Sequence, residues 1–198
     1  MGHYFDEDPG APSMPRKVEL WLPDMSLTLT TDRGVFGYDQ IDAGSKLLLL
    51  KAPPPPLTGN LLDLGCGVGT IAVPLARRAP GATVWAVDVN SRARDLCASN
   101  AATNEAGNVR VVAPEDVPDD VAFGCIWSNP PIRVGKKALH DMLLMWLGRL
   151  SPTGNAVMVV HKHLGADSLQ RWLTEQGLPT NRLASSSGYR ILQMTRHD

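Results

Sequence analysis

Short apolar runs and helix-spaced apolar positions alternate along most of the chain. Leu61-Leu62-Asp63-Leu64 reads as a buried strand, followed by a glycine-rich loop and a helix to about Ala79. Thr83 to Val87 reads as a second strand, and Ser91 caps a helix to about Glu105. Val109 to Val112 and Val121 to Trp127 read as the third and fourth strands. Leu139, Met142, Leu143, Trp146, Leu147 and Leu150 recur at i, i+3, i+4, i+7, i+8 and i+11, which marks one apolar helix face. Ala156 to Val160 reads as a fifth strand, Ser168 to Gln176 as a helix and Tyr189 to Met194 as a final strand. Strands that alternate with helices predict an α/β domain, a mostly parallel sheet covered on both faces.

Ahead of this domain the pattern changes. Residues 1 to 15 are acidic and Pro-rich and read as a loose arm. Val18 to Leu22 and Ser26 to Thr30 flank the turn Pro23-Asp24 and predict a small hairpin ended by Asp32-Arg33-Gly34. Asp42 to Leu50 predicts a short helix, and Pro53 to Pro56 a stiff connector. The chain therefore divides into residues 1–56, an arm, hairpin and helix, and residues 57–198, the alternating domain.

At 198 residues the chain suits one sizeable core. A net charge of −1 means that any nucleic-acid partner must be met by a local basic patch. Cys66, Cys97 and Cys125 form no C-x-x-C pair, so they read as reduced thiols in a cytoplasmic protein. The first fifteen residues lack the order of a signal peptide. Leu47 to Leu50 is far too short to span a membrane. His161 and His163 could face one way on a strand, but no third ligand is evident, and no metal is expected.

Candidate chemistry lies at the ends of the predicted strands. Gly65-Cys66-Gly67-Val68-Gly69 follows a strand and opens a helix, where glycines let the backbone approach a ligand. The spacing is G-x-G-x-G, not the G-x-G-x-x-G of dinucleotide sites. Asp63 stands two residues ahead, where a carboxylate repels a pyrophosphate but suits the ammonium and sulfonium of S-adenosylmethionine. Asp88 ends the second strand, followed by Val89, and a carboxylate there can accept both hydrogens of a ribose diol. Glu115 reads either as the partner of an adenine amino group or as part of a solvated acidic loop.

Ser128-Asn129-Pro130-Pro131-Ile132 follows the fourth strand. The lone pair of a nucleobase or amide NH2 is delocalised, so such a nitrogen attacks poorly. An amide oxygen (Asn129) and a backbone carbonyl (Pro130) can accept its two N–H bonds and aim the lone pair. Pro131 stiffens the loop and so pre-aims the carbonyl. The plain alternative is a structural turn, since Asn-Pro and Pro-Pro are common loop dipeptides.

The glycine loop, Asp88, Asn129-Pro130-Pro131, Gly34-Val35-Phe36 and Asp42-Ala43-Gly44-Ser45 together resemble the "methyltransferase small" family. Its best-known members are the bacterial ribosomal RNA guanine-N2 methyltransferases. The likeness extends from His3-Tyr4-Phe5 to Gly188-Tyr189-Arg190-Ile191. It implies a Rossmann-like sheet of seven strands with an antiparallel last strand, S-adenosylmethionine as cofactor, and RNA as partner. It implies that Asp63, Gly65, Cys66, Gly67, Gly69, Asp88, Val89, Glu115 and Asn129 serve the cofactor. Residues 34–36 and 42–45 match the stretch that closes over cofactor and target. Asn100 and Asn104 match paired scaffold asparagines, and Gly135-Lys136 and Lys162 match positions near substrate. Phe36, Ile132, Arg133 and Lys136 are the expected substrate contacts, with Lys137 extending the cationic cluster. The chain lacks the extra N-terminal domain of the two-domain enzymes, and Ile132 stands where they tend to have Phe. An aromatic there would stack a flipped base, a part that falls here to Phe36. A glutamine-amide or small-molecule N-methyltransferase, and a module that binds S-adenosylmethionine or RNA without turnover, are the alternative readings.

Overall fold

A computed structural model describes residues 10–196; the His3-Tyr4-Phe5 segment lies outside the described residues. β1 (Arg16–Trp21) and β2 (Ser26–Thr31) form an antiparallel hairpin in register Leu20↔Leu27. α1 (Ala43–Lys51) follows, capped by Asp42, whose side chain accepts the Ser45 N–H. Then come β3 (Thr58–Leu64), α2 (Ala72–Arg78), β4 (Gly81–Val87), α3 (Ser91–Thr103), β5 (Val109–Val112) and β6 (Phe123–Ser128). α4 (Lys136–Leu147), β7 (Leu150–His161), α5 (Ala166–Glu175), β8 (Thr180–Ser186) and β9 (Tyr189–Thr195) complete the chain.

The main sheet has seven strands in the order β5-β4-β3-β6-β7-β9-β8. β9 alone is reversed relative to the other six strands, as the resemblance implies. Alternation along each strand divides the core. Leu61, Val84, Cys125, Trp127 and Val157 face one layer with α2, α3 and α1. Leu62, Trp85, Ile126, Met158 and Leu192 face the other with α4 and α5. Both faces are apolar because both are covered by helices. No helix among the described residues is long and apolar enough to cross a membrane.

The hairpin belongs to the first layer: Val18, Leu20, Leu27 and Leu29 are buried there. Asn100 holds it in place. Its Oδ1 accepts the Thr30 N–H at 2.7 Å, and its Nδ2 donates to Thr30 O and Val68 O at 2.8 Å each. One side chain thus satisfies β2 and the glycine loop together, where each buried group left unpaired would cost about 1–3 kcal/mol. Asn104 adds a bond to Thr28 O at 3.0 Å.

Three details differ from the pattern-based expectation. β8 is missing from that expectation, because it is an edge strand with only Thr180 buried and carries no apolar alternation. The cap of α3 is Asn90, not Ser91: Asn90 is extended (φ −77, ψ 117) and its side chain accepts the Ala93 N–H at 3.1 Å. Leu150 continues the apolar spacing of α4 but begins β7, since the helix stops at Leu147 before Gly148.

Candidate active site

The strand order steps outward in both directions from β3, so a crevice opens at the carboxyl ends of β3 and β6, where open α/β sheets bind ligands. A cavity of about 870 Å³ lies there. Its lining joins residues from the glycine loop, the end of β4, the Asn-Pro-Pro loop, α4, the end of β7 and the segment before α1.

One half is made largely of backbone and carboxylate. Gly65 and Gly67 hold positive φ (76° and 53°), a conformation a side chain disfavours. A Cβ at Gly67 would meet nothing within 4 Å, so its backbone opens directly on the cavity. The Gly65 and Cys66 N–H groups bond Val87 O at 2.9 and 3.0 Å and fasten the loop to β4. Asp88 accepts the Gly67 N–H and the Asn90 N–H, each at 2.9 Å. Burial raises its pKa despite these donors. Asp63 is fully buried, and neither carboxyl oxygen makes a hydrogen bond. Burial pushes its pKa up to about 8, with the pull of the Ala72 N–H only partly offsetting it and the charge of Asp88 adding to the rise. Trp127, its register partner on β6, carries a buried indole N–H that is likewise unbonded. A glycine cradle open to the cavity, with the buried Asp63 carboxyl and the half-buried Asp88 carboxyl close together, fits a cationic nucleoside such as S-adenosylmethionine.

The other half is made of side chains from distant segments. Asn129 leaves the end of β6 and donates both its N–H bonds: to Asp42 Oδ1 at 2.8 Å and to Ser45 Oγ at 3.0 Å. Pro131 (φ −75, ψ 74) sits in an inverse γ-turn, in which the Ile132 N–H bonds Pro130 O at 2.8 Å. That bond fixes the carbonyl and leaves its second lone pair. Met142, Met145, Trp146, Leu164, His161, His163 and Tyr189 form the remaining wall. The two histidines do not share a strand face: His161 ends β7, and His163 lies in a 3-10 turn, with ring centroids 5.4 Å apart. Among the described residues, no group of three or more His, Cys, Asp or Glu is placed to hold a metal ion.

The sequence-derived candidates spread across this geometry unevenly. Phe36, Gly65, Gly67, Asp88, Val89, Asn129, Pro130, Pro131, Ile132 and Arg133 line the cavity together. Asp63 is fully buried and is not part of the lining, and Cys66 borders a small adjoining space shared with Ser45 and Asn129. Gly69 stands off the lining and packs on Cys97, whose Sγ an added Cβ would approach to 2.9 Å. Pro114 lines the cavity, whereas Glu115 is exposed in the next position. Lys136 is exposed on the first turn of α4, outside the lining. Lys137 pairs with Asp141 at 2.5 Å, which raises its pKa. The segment Gly34-Val35-Phe36 does reach the site: Gly34 O accepts from Asn90 Nδ2 at 3.0 Å, and Val35 packs on Val68 and Ala93. Sequence reasoning misses Tyr189, Met145 and the bond from Asn129 to Asp42. In the sequence Asp42 reads as a helix start and as part of the 42–45 stretch expected to close over cofactor and target, but nothing there pairs it with Asn129.

A doubly wound sheet with one reversed strand, a glycine cradle tied to Asp88 and the buried carboxyl of Asp63 define a class I S-adenosylmethionine-dependent methyltransferase. The chain belongs to the methyltransferase small domain family, whose model matches residues 26–193. It is 33% identical to YbxB of Bacillus subtilis over 194 residues, covering 96% of both chains. It is 40% identical over 166 residues to ribosomal RNA small subunit methyltransferase C of Aeromonas hydrophila, covering 77% of this chain and 47% of that one. Among solved structures it superposes with a TM-score of 0.79 and 25% identity on the Thermus thermophilus 16S rRNA N2 G1207 methyltransferase in complex with AdoMet and guanosine. That match covers 94% of this chain and 52% of the other. The chain thus spans about half the length of these ribosomal RNA methyltransferases.

Proposed function

We propose that this protein methylates an exocyclic amino nitrogen of RNA, with guanine N2 of ribosomal RNA as the target. S-adenosylmethionine, when bound, supplies a methyl group on an electrophilic sulfonium. Asp63 and Asp88 would serve its ammonium and ribose diol, and the Gly65 and Gly67 backbone would hold it. Glu115 reaches the adenine amino group only if its exposed side chain turns inward; Pro114 already lines that end.

The observation that carries the reading is the state of Asn129. Both of its N–H bonds are spent inside the protein, so the end of the amide left for a substrate is Oδ1, an acceptor. An acceptor beside the remaining lone pair of Pro130 O matches the two N–H bonds of an NH2 group. A hydroxyl offers one hydrogen and would leave one acceptor unmet. RNA as the partner is supported by the ribosomal RNA methyltransferase relatives and by Arg133 at the mouth of the cavity. Phe36 and Ile132 both line the cavity, which supports them as apolar contacts for a base. Nucleoside mass spectrometry of ribosomal RNA tests the proposal. A strain lacking the gene is expected to lose N2-methylguanosine at one position and to regain it on complementation. An unchanged nucleoside profile would refute the assignment to ribosomal RNA.

A further inference from the structure

We propose that Asp42 is a positioning residue for the acceptor amine: it dictates which end of the Asn129 amide faces the cavity and places a negative charge one bond network behind the accepting nitrogen. The inference rests on the amine-acceptor reading of Asn129. It goes beyond it by naming what sets the acceptor's orientation and strength.

The donor count admits one arrangement. The Ser45 hydroxyl donates to Asp42 Oδ1 at 3.2 Å, so its lone pairs are left to accept. Asp42 is acceptor-only when ionised. The amide end of Asn129 that meets Asp42 at 2.8 Å and Ser45 at 3.0 Å must therefore be the NH2. A flipped amide would set Oδ1 against a carboxylate and leave the Ser45 lone pair without a donor. The Ser45 backbone N–H, at 2.7 Å from the same Asp42 oxygen, fixes the carboxylate in turn. Ser45 is buried and Gly44 is closely covered: a Cβ there would lie 2.7 Å from the Tyr189 ring. The network is thus clamped between α1 and β9. Tyr189 reports on it, because its hydroxyl is held protonated by burial and then by the charge and hydrogen bonding of Asp42.

The charge matters as well as the orientation. A carboxylate bonded to an amide NH2 shifts electron density toward Oδ1 and makes it a better acceptor. The attacking nitrogen gains positive charge as it takes up the methyl group, so a fixed anion behind Oδ1 stabilises the transition state more than the ground state.

Asp42→Asn, Asp42→Ala, Asn129→Ala and the double variant Asp42→Ala/Asn129→Ala separate this role from a structural one. Asp42→Asn keeps a good helix cap and can still accept from Asn129 while losing the charge. It is expected to lower kcat on the order of tenfold, below the loss from removing the acceptor itself. KM for the acceptor RNA and affinity for S-adenosylhomocysteine should change far less. Asp42→Ala should approach Asn129→Ala, and the double variant should be no worse than Asn129→Ala alone, because both remove one unit. The side-chain amide signals of Asn129 in 15N NMR, identified by their loss in Asn129→Ala, give a readout independent of activity. They should shift only slightly in Asp42→Asn, where the bond persists without the charge, and move much further toward the shifts of a free amide in Asp42→Ala. Additive losses, a loss confined to cofactor affinity, or amide signals unmoved in Asp42→Ala would overturn the proposal. Wild-type protein that methylates neither an RNA amino group nor a protein amide would instead defeat the amine-acceptor reading, while the NMR comparison would still decide the orientation of Asn129.

Discussion

The two halves of the cavity differ in how they are built. Around the glycine loop the ligand would meet backbone and the Asp88 carboxyl at the end of β4, with the buried Asp63 of the adjacent strand β3 close to Asp88. Around Asn129 it would meet side chains brought from the cap of α1, the loop after β6, α4, β7 and β9. The first half is a local consequence of chain geometry, in which positive-φ glycines and a carboxyl at the next strand end suffice. The second exists only when the whole sheet has assembled. One scaffold can therefore keep a cofactor site while its acceptor wall varies, here with Ile132 beside the prolines and an apolar wall of Met142, Met145 and Leu164.

The sharpest way to break this division is Asn129→Ala. If Asn129 acts on the accepting nitrogen, kcat should fall by about 10²-fold or more, the range for an oriented electrostatic contact, with little change in cofactor affinity. Steady-state kinetics beside calorimetry of S-adenosylhomocysteine binding would read both. A wild-type turnover number would mean that the acceptor half does not work through Asn129.

The cofactor half should show itself in protons. Burial holds the Asp63 pKa near 8, above its ordinary 3.8. Its contribution to stability is therefore full below that ordinary value and is lost as pH rises through about 8. A cofactor ammonium beside it favours the carboxylate, so binding near pH 6.5 should release about one proton. Calorimetry in buffers of different ionisation heat measures this release. Asp63→Asn should abolish it and should make the unliganded protein more stable at pH 8 than wild type. Binding with no proton release in wild type would separate Asp63 from the cofactor.

The smallest effect is expected at the mouth. Arg133 lines the cavity, whereas Lys137 is engaged by Asp141. Arg133→Ala should reduce the slope of log affinity against log salt by about 0.9 for each phosphate that Arg133 neutralises on a duplex, and by less on a single strand. Lys137→Ala should change it less. Fluorescence anisotropy across a salt series makes the comparison. Equal slopes for both variants would place the RNA elsewhere.

The same contrast explains what is legible in the sequence. The strand-loop-helix run from Leu61 and the carboxyl at Asp88 lie close together in the chain, and their spacing alone locates the cofactor half. Asn129-Pro130-Pro131 is readable as a chemical motif, but the bond that orients Asn129 spans 87 positions to Asp42. No local pattern announces such a pair. Tyr189 reads in the sequence as the start of a strand, and only the insertion of β9 beside β7 brings it to the cavity. β8 escapes notice because an edge strand with one solvent-covered face needs no apolar alternation. Pattern alone favours Ser91 over Asn90 as the cap of α3 although both types cap well, and the choice depends on Asp88, which holds the Asn90 N–H, and on Gly34 O, which holds its side chain.

The central claim, transfer of methyl to an amino nitrogen of RNA, is tested most directly with labelled S-adenosylmethionine. Purified protein is offered ribosomal subunits, total RNA and soluble protein extract, each from a strain lacking the gene. The expected result is label in ribosomal RNA, released on digestion as N2-methylguanosine, with intact subunits labelled better than free RNA. Label in protein would contradict it.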